Sequence, residues 1–271
     1  MKMIKRLVFC VICCLLLSLG SVYAEEYYIS NDFEYILNDE GNAIIRKFHG
    51  YGKFEVTIPD KLDGYVVAGV EGNPFSSCNL IREFSVSSEH PSLATISGVL
   101  FSKKNKELVS YPSNRDGDSY TVPSGIISIG KRAFSSADEL ETVTLPDSLM
   151  SIGESAFSSC ESLSSIHISN RVTEIGRGAF NFCDSLRSLT LPESIISIGG
   201  GAFSHCDNLS SINIPNSVSF IEYNPFEDCK SLKNVELSQN HPVFEIIDRT
   251  LYNKNSKSLI GYLGVYQKST F

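Results

Sequence analysis

From about residue 120 to residue 237 the apolar positions of this chain keep one period. Phe134, Phe157, Phe180, Phe203 and Phe226 stand 23 residues apart, as do Leu140, Leu163, Leu186, Leu209 and Leu232. Val143, Ile166, Leu189, Ile212 and Val235 follow the same spacing, and so do Cys160, Cys183, Cys206 and Cys229, and Gly130, Gly153, Gly176 and Gly199. One unit reads Leu140-x-x-Val143-x-Leu145-Pro146-x-x-Leu149-x-x-Ile152-Gly153-x-x-Ala156-Phe157-x-x-Cys160. Val143 and Leu145 alternate with Thr142 and Thr144, the period of a half-buried strand with the threonines facing out. Pro146 has no N–H to give a ladder and ends that strand. A second short strand is predicted around Leu149 to Ile152, then a permissive turn at Gly153 and a tight helical or 3-10 turn that points Phe157 inward. One such coil cannot bury its own apolar side. Stacked on like coils about 4.8 Å apart, the periodic residues become continuous internal ladders, so the sequence predicts a mainly β solenoid with parallel strands.

The period runs backwards less perfectly. Tyr120-Thr121-Val122-Pro123 through Ala133-Phe134 is a coil with Ala137 where Cys is expected. Phe54 to Pro59 through Pro74-Phe75 and Cys78 is another, with five extra residues between Pro and Phe. A longer duplication lies over this at an offset of 151: Phe75 maps to Phe226, His90-Pro91 to His241-Pro242, Leu100 to Leu251, Lys103 to Lys254, Leu108 to Leu259 and Tyr111 to Tyr262. In each copy two apolar runs flank a polar stretch, which predicts a β-hairpin insert. At the start, Phe33 to Leu37 and Ala43 to Phe48 flank Asn38-Asp39-Glu40-Gly41-Asn42, a hairpin expected to cap the first coil. The resulting divisions are a leader at 1–24, a cap at 25–52, a first repeat at 53–85, an insert at 86–116, regular repeats at 117–237, and a second insert with the C-terminal end at 238–271.

These motifs resemble the BspA-like class of leucine-rich repeats, found in bacterial surface antigens and in some surface proteins of parasitic protists. The insert Ile96-Ser97-Gly98-Val99-Leu100-Phe101 followed by Leu108-Val109-Ser110-Tyr111-Pro112 also looks like that family's recurring interruption. The resemblance spans about residues 33 to 262. It implies a leucine-rich-repeat solenoid exposed at a cell surface, binding host matrix proteins, cells or other bacteria, and it carries over no catalytic residue. The chain departs from the pattern at Ala137 and at Glu222, where Gly is expected.

Lys2, Lys5 and Arg6 precede an apolar run from Leu7 to Leu19, and Val22-Tyr23-Ala24 has the small residues of a cleavage site, the layout of a secretory signal peptide cut near Ala24. The expected location is secreted or cell surface, with membrane contact only through this leader or through a lipid on Cys14. Without the leader, 20 basic residues face 31 acidic ones, a formal charge of −11 that disfavours nucleic acid as a partner. Five cysteines remain; disulfides between coils are one reading and a ladder of buried free thiols is the expected one, with no Cys-x-x-Cys spacing to suggest zinc. The histidines share no metal or catalytic spacing, and His90 and His241 are read as turn residues. Neither Gly-x-Ser-x-Gly nor Gly-x-Gly-x-x-Gly occurs, so no enzyme, cofactor or metal site is expected. Asn208-Leu209-Ser210 is a sequon on the repeat's own Leu position.

The outward strand positions remain as the candidate site: Thr142, Ser165, Ser188, Ser211 and Asn234 in one column, and Thr144, His167, Thr190, Asn213 and Glu236 in the next. They are either solvated strand positions or a contact face for a protein. Such short polar side chains suit shallow, multivalent contact better than a small-molecule pocket. The function expected from the sequence is a non-catalytic protein-binding or adhesion module. The alternatives are an envelope assembly component and a hydrolase whose triad is scattered over several coils. A monomer is expected, its last coil closed by the second hairpin.

Overall fold

The computed structural model describes residues 26–263. Residues 1–25, which take in the expected leader, and residues 264–271 lie outside them. The described residues form strands and turns with no helix, wound into a solenoid with one coil per repeat.

Each regular coil carries two short strands that pair in parallel with their counterparts in the neighbouring coils. The first column comprises Ser119–Thr121, Thr142–Thr144 and Ser165–His167, then Ser188–Leu189, Ser211–Ile214 and Asn234–Leu237. The second runs Ser128–Ile129, Ser151–Ile152, Glu174–Ile175, Ser197–Ile198 and Phe220–Ile221, and belongs to an eight-stranded sheet. Register follows the period, with Val143 opposite Ile166 and Ile152 opposite Ile175. A slip by one residue would turn every apolar side chain outward.

The Ala-Phe corner forms a third seam, and it is not a helix. Ala156, Ser158 and Cys160 N–H donate three residues back within their own coil, whereas Ser155, Phe157 and Ser159 donate to Arg177, Ala179 and Asn181 carbonyls of the next coil at 2.7–2.8 Å. Alternation of this kind needs left-handed backbone, found at Ser155 (φ 53°) and Ser159 (φ 59°) and even at the bulky Phe182 (φ 58°). Inside, the Phe rings stack as a column: Phe157 on Phe180 at 5.2 Å and 4°, and Phe180 on Phe203 at 5.6 Å and 5°.

The periodic glycines correct the sequence reading. Gly130, Gly153, Gly176 and Gly199 are not in left-handed backbone. A Cβ on Gly176 would lie 2.6 Å from Gly153 C and from Glu154 N, and on Gly199 it would lie 2.3 Å from Arg177 N. Glycine is required here for the close approach of successive coils, not for turn freedom.

The cap strands fall at Phe33–Leu37 and Ala43–Phe48, joined by Tyr28–Ser30 on one side and by Lys61–Leu62 and Tyr65–Val70 on the other. The five extra residues of the first repeat make this second hairpin, turning at Asp63 (φ 50°) and Gly64 (φ 93°), the backbone that an Asp-Gly turn requires. Phe33, Tyr35, Ile45 and Phe48 pack with Val56, Phe75 and Phe84, so the cap covers the apolar start of the first coil.

Each insert has three antiparallel strands, one more than its hairpin: Leu93–Ile96, Val99–Ser102 and Glu107–Ser110 in the first, Phe244–Ile247, Thr250–Asn253 and Ser258–Tyr262 in the second. The first is a partition. Leu93, Leu100 and Val109 face the cap side, and Val99, Phe101, Leu108 and Tyr111 face the regular coils.

Candidate binding faces of the solenoid

The first-column face carries the ten outward residues singled out from the sequence. Val143, Ile166 and Leu189 anchor the backbone below, leaving Thr142, Thr144, Ser165, His167, Ser188, Thr190, Asn234 and Glu236 exposed, with Ser211 and Asn213 half-buried. They do not form one uninterrupted sheet. The strands fall into two groups of three, with a break between Ser165–His167 and Ser188–Leu189. Asn213 is spent on structure: its Oδ1 accepts from Leu191 N–H at 2.7 Å and its Nδ2 donates to Leu191 O at 2.8 Å. Asn234 Nδ2 donates to Glu236 Oε1 at 3.3 Å, tying these two together. With Ser211 half-buried as well, the six exposed residues from Thr142 to Thr190 make a low polar surface spanning three coils.

The sequence reading passed over a second face. Ile127, Met150 and Ile196 recur at the repeat spacing and are exposed on one flank of the eight-stranded sheet. Beside them a groove of about 570 Å³ runs over Gly153, Gly176 and Gly199, walled by Glu174, Arg177, Phe220 and Glu222. Arg177 donates to the Glu222 carboxylate from Nε and Nη2 and lies 5.9 Å above the Tyr223 ring. Glu222, the one departure from the glycine column, therefore reaches back along the groove, and its N–H to Ile198 O lengthens to 3.2 Å against 2.8 Å at Gly176.

The five cysteines among the described residues are free and buried. Cys160, Cys183, Cys206 and Cys229 each donate from Sγ to a Phe carbonyl of the preceding coil at 3.0–3.1 Å. Burial pushes the Cys160 and Cys229 thiols up to about 12 and raises Cys183 and Cys206 as well, so they stay protonated and unreactive. The two insert histidines are structural too. His241 Nδ1 accepts from Val243 and Phe244 N–H, and its Nε2 donates to Pro215 O at 2.9 Å. His90 likewise accepts from Ser92 and Leu93 N–H. Lys103 and Lys254 donate to the carbonyls of His90 and His241. Among the described residues no three His, Cys, Asp or Glu side chains converge as a metal ion would need.

The family description "BspA type Leucine rich repeat region", in six copies, matches residues 114–233 and 156–260. No curated protein sequence matches the chain. Among solved structures it is similar to a leucine rich cell surface protein from Faecalibacterium prausnitzii, at 20% identity and TM-score 0.54 over 79% of this chain and 96% of that one. A leucine-rich repeat protein from Eubacterium ventriosum is similar at 21% identity and TM-score 0.58, over 73% of this chain and 59% of that one. The pneumococcal vaccine antigen PcpA is similar at 24% identity and TM-score 0.57, over 70% of this chain and 46% of that one. The latter two are thus spanned only in part, and at these identities the likeness concerns the fold. The family match takes in more than half of the chain, and the protein belongs to the BspA-type leucine-rich repeat family.

Proposed function

We propose that this protein is an exported, non-catalytic protein-binding module displayed at the cell surface, which adheres through the first-column face to a protein of another cell or of a host matrix. The observation that carries this reading is the row of short polar side chains, Thr142, Thr144, Ser165, His167, Ser188 and Thr190, exposed on a backbone anchored from beneath. Short side chains lose little rotamer entropy when covered, and a repeated face adds many weak contacts into useful avidity. Membership of a repeat family with cell-surface structural neighbours supports the same reading.

The test combines accessibility with mutation. Intact cells are probed with antibody against residues 25–271, and the purified segment is titrated against immobilised matrix and neighbouring-cell proteins. Surface exposure and saturable binding are expected, with binding at least tenfold weaker in a Thr144→Arg/Ser165→Arg/Ser188→Arg variant of unchanged melting temperature. Strictly internal protein rejects adhesion, and undiminished binding by the triple variant moves the contact to another face.

A further inference from the structure

Three glycines open a hollow on the Ala-Phe corner. The two residues after the column glycine are Lys131-Arg132, Glu154-Ser155, Arg177-Gly178, Gly200-Gly201 and, after Glu222, Tyr223-Asn224. Arg132 and Ser155 take the same left-handed backbone (φ 56° and 53°) as Gly178 and Gly201 (φ 56° and 63°), so that backbone does not by itself demand glycine there. Gly200 is needed for clearance, because a Cβ on it would stand 2.0 Å from the Tyr223 ring, which folds back across it. These three positions floor a hollow of about 370 Å³ between the coils of Ser155 and Tyr223, beside the groove over the column glycines.

The hollow is polar at its base. Asn181 Oδ1 and Ser204 Oγ, at equivalent positions of neighbouring coils about 4.8 Å apart, are buried with no hydrogen-bond partner among the described residues, and both residues line it. Ser204 is 5% exposed, and its Oγ lies 3.1 Å from where a Cβ on Gly201 would stand, so it points at the space above this glycine. Buried polar atoms as a rule have a partner, and two orphans side by side mark a place for one. Glu227, one coil beyond Ser204 in the same column, and the 47% exposed ring of Tyr223 complete the wall. Arg177 and Glu154 on the rim are each paired, with Glu222 and with Lys131.

We propose that this hollow binds one uncharged pyranose ring of a glycan. An apolar ligand would find a single aromatic ring among polar groups, and a free ion would meet rim charges that already have partners. A pyranose matches the lining: hydroxyls on adjacent carbons donate to Asn181 Oδ1 and Ser204 Oγ, a third donates to the Glu227 carboxylate, and the C–H face lies against Tyr223. Its size also suits, since sites for small molecules begin at about 300 Å³. The site is separate from the first-column face, so it stands whether or not that face binds a protein.

The test titrates the isotope-labelled full chain with the methyl pyranosides of glucose, galactose, mannose and N-acetylglucosamine, followed by nuclear magnetic resonance. At least one should bind with a dissociation constant of about 0.1–10 mM, the range of a small ligand held by few contacts, and shift the side-chain amide of Asn181. Gly178→Asn places a side chain in the hollow on a backbone that asparagine tolerates; it and Tyr223→Ala should each weaken binding at least tenfold, while Thr190→Arg leaves it unchanged. Binding of none of the four sugars overturns the proposal and leaves water as the partner of the two oxygens. Binding that leaves the Asn181 amide unshifted, or that survives in Gly178→Asn, overturns it as well. So does binding of lysine amide in place of any sugar, which would make Glu227 the anchor of a cation site.

Discussion

Gly176→Ala tests the claim that the glycine column sets the distance between coils. The added Cβ would stand 2.6 Å from Gly153 C and from Glu154 N, both backbone atoms that cannot swing aside. Carbon contacts settle near 3.5–4.0 Å, so relief requires the coils to part locally by about 1 Å. Parting by that amount stretches the 2.8 Å bond from Gly176 N–H to Ile152 O past hydrogen-bond range. One lost hydrogen bond costs about 1 kcal/mol and overpacking about 1–3 kcal/mol, offset by up to about 1 kcal/mol from the stiffer unfolded chain. The net loss is therefore about 1–4 kcal/mol, read from guanidinium unfolding followed by circular dichroism. Gly69→Ala is the control, since its Cβ would meet nothing nearer than Ile44 Cδ1 at 4.0 Å; it should change stability by under about 0.5 kcal/mol. An unchanged midpoint for Gly176→Ala, or equal losses in both variants, refutes the spacing argument.

Phe180→Ala removes a ring that is 0% exposed and stacked on both sides; it should cost about 3–5 kcal/mol, against under about 0.5 kcal/mol for Thr190→Ala, and similar melting shifts for the two would contradict the register. Cys160, Cys183 and Cys206 should react with a thiol reagent only after denaturation; because the Cys183 thiol already donates to Phe157 O, Cys183→Ser keeps a donor there and should lose about 1–2 kcal/mol, less than a hydroxyl without a partner would, as measured by chemical unfolding. His90 and His241 have pKa values lowered chiefly by burial, so below the ordinary value near 6.5 the unfolded chain binds more protons than the folded one. Their contribution is complete above that value and is lost as pH falls below it. The melting temperature should therefore drop between pH 7.5 and 5.5, and drop less in His90→Asn/His241→Asn; equal drops would exclude these histidines as the cause.

The repeated positions were legible because each apolar residue meets its own counterpart one coil away, so the spacing in sequence is also the contact map. The insert was half legible: Val99–Phe101 and Leu108–Tyr111 announce a hairpin, but Leu93–Ile96 has only Leu93 and Ile96 as strongly apolar positions and gains its strand character from its neighbour. The Lys61–Val70 hairpin was signalled by Asp63-Gly64 and went unread. The glycine period was visible while its cause was not, because turn freedom and close approach leave the same mark in sequence and differ only in φ and inter-coil distance. At the candidate site the outward polarity of Thr142 to Thr190 was readable. That Asn213 would spend its amide on Leu191 was not, since it depends on a neighbour 22 residues away. Ile127, Met150 and Ile196 were in plain view, and their exposure follows from the strand's direction rather than from their chemistry.

The three seams of backbone hydrogen bonds all run from coil to coil, which has a mechanical meaning. Tension applied along the long axis loads those bonds in series, and the chain opens like a zipper, one coil after another. Each coil that gives way releases 23 residues, roughly 80 Å of extended chain. A stack of this kind absorbs a pull by lengthening in steps while the remaining coils stay folded, as single-molecule stretching would record in a sawtooth of even spacing.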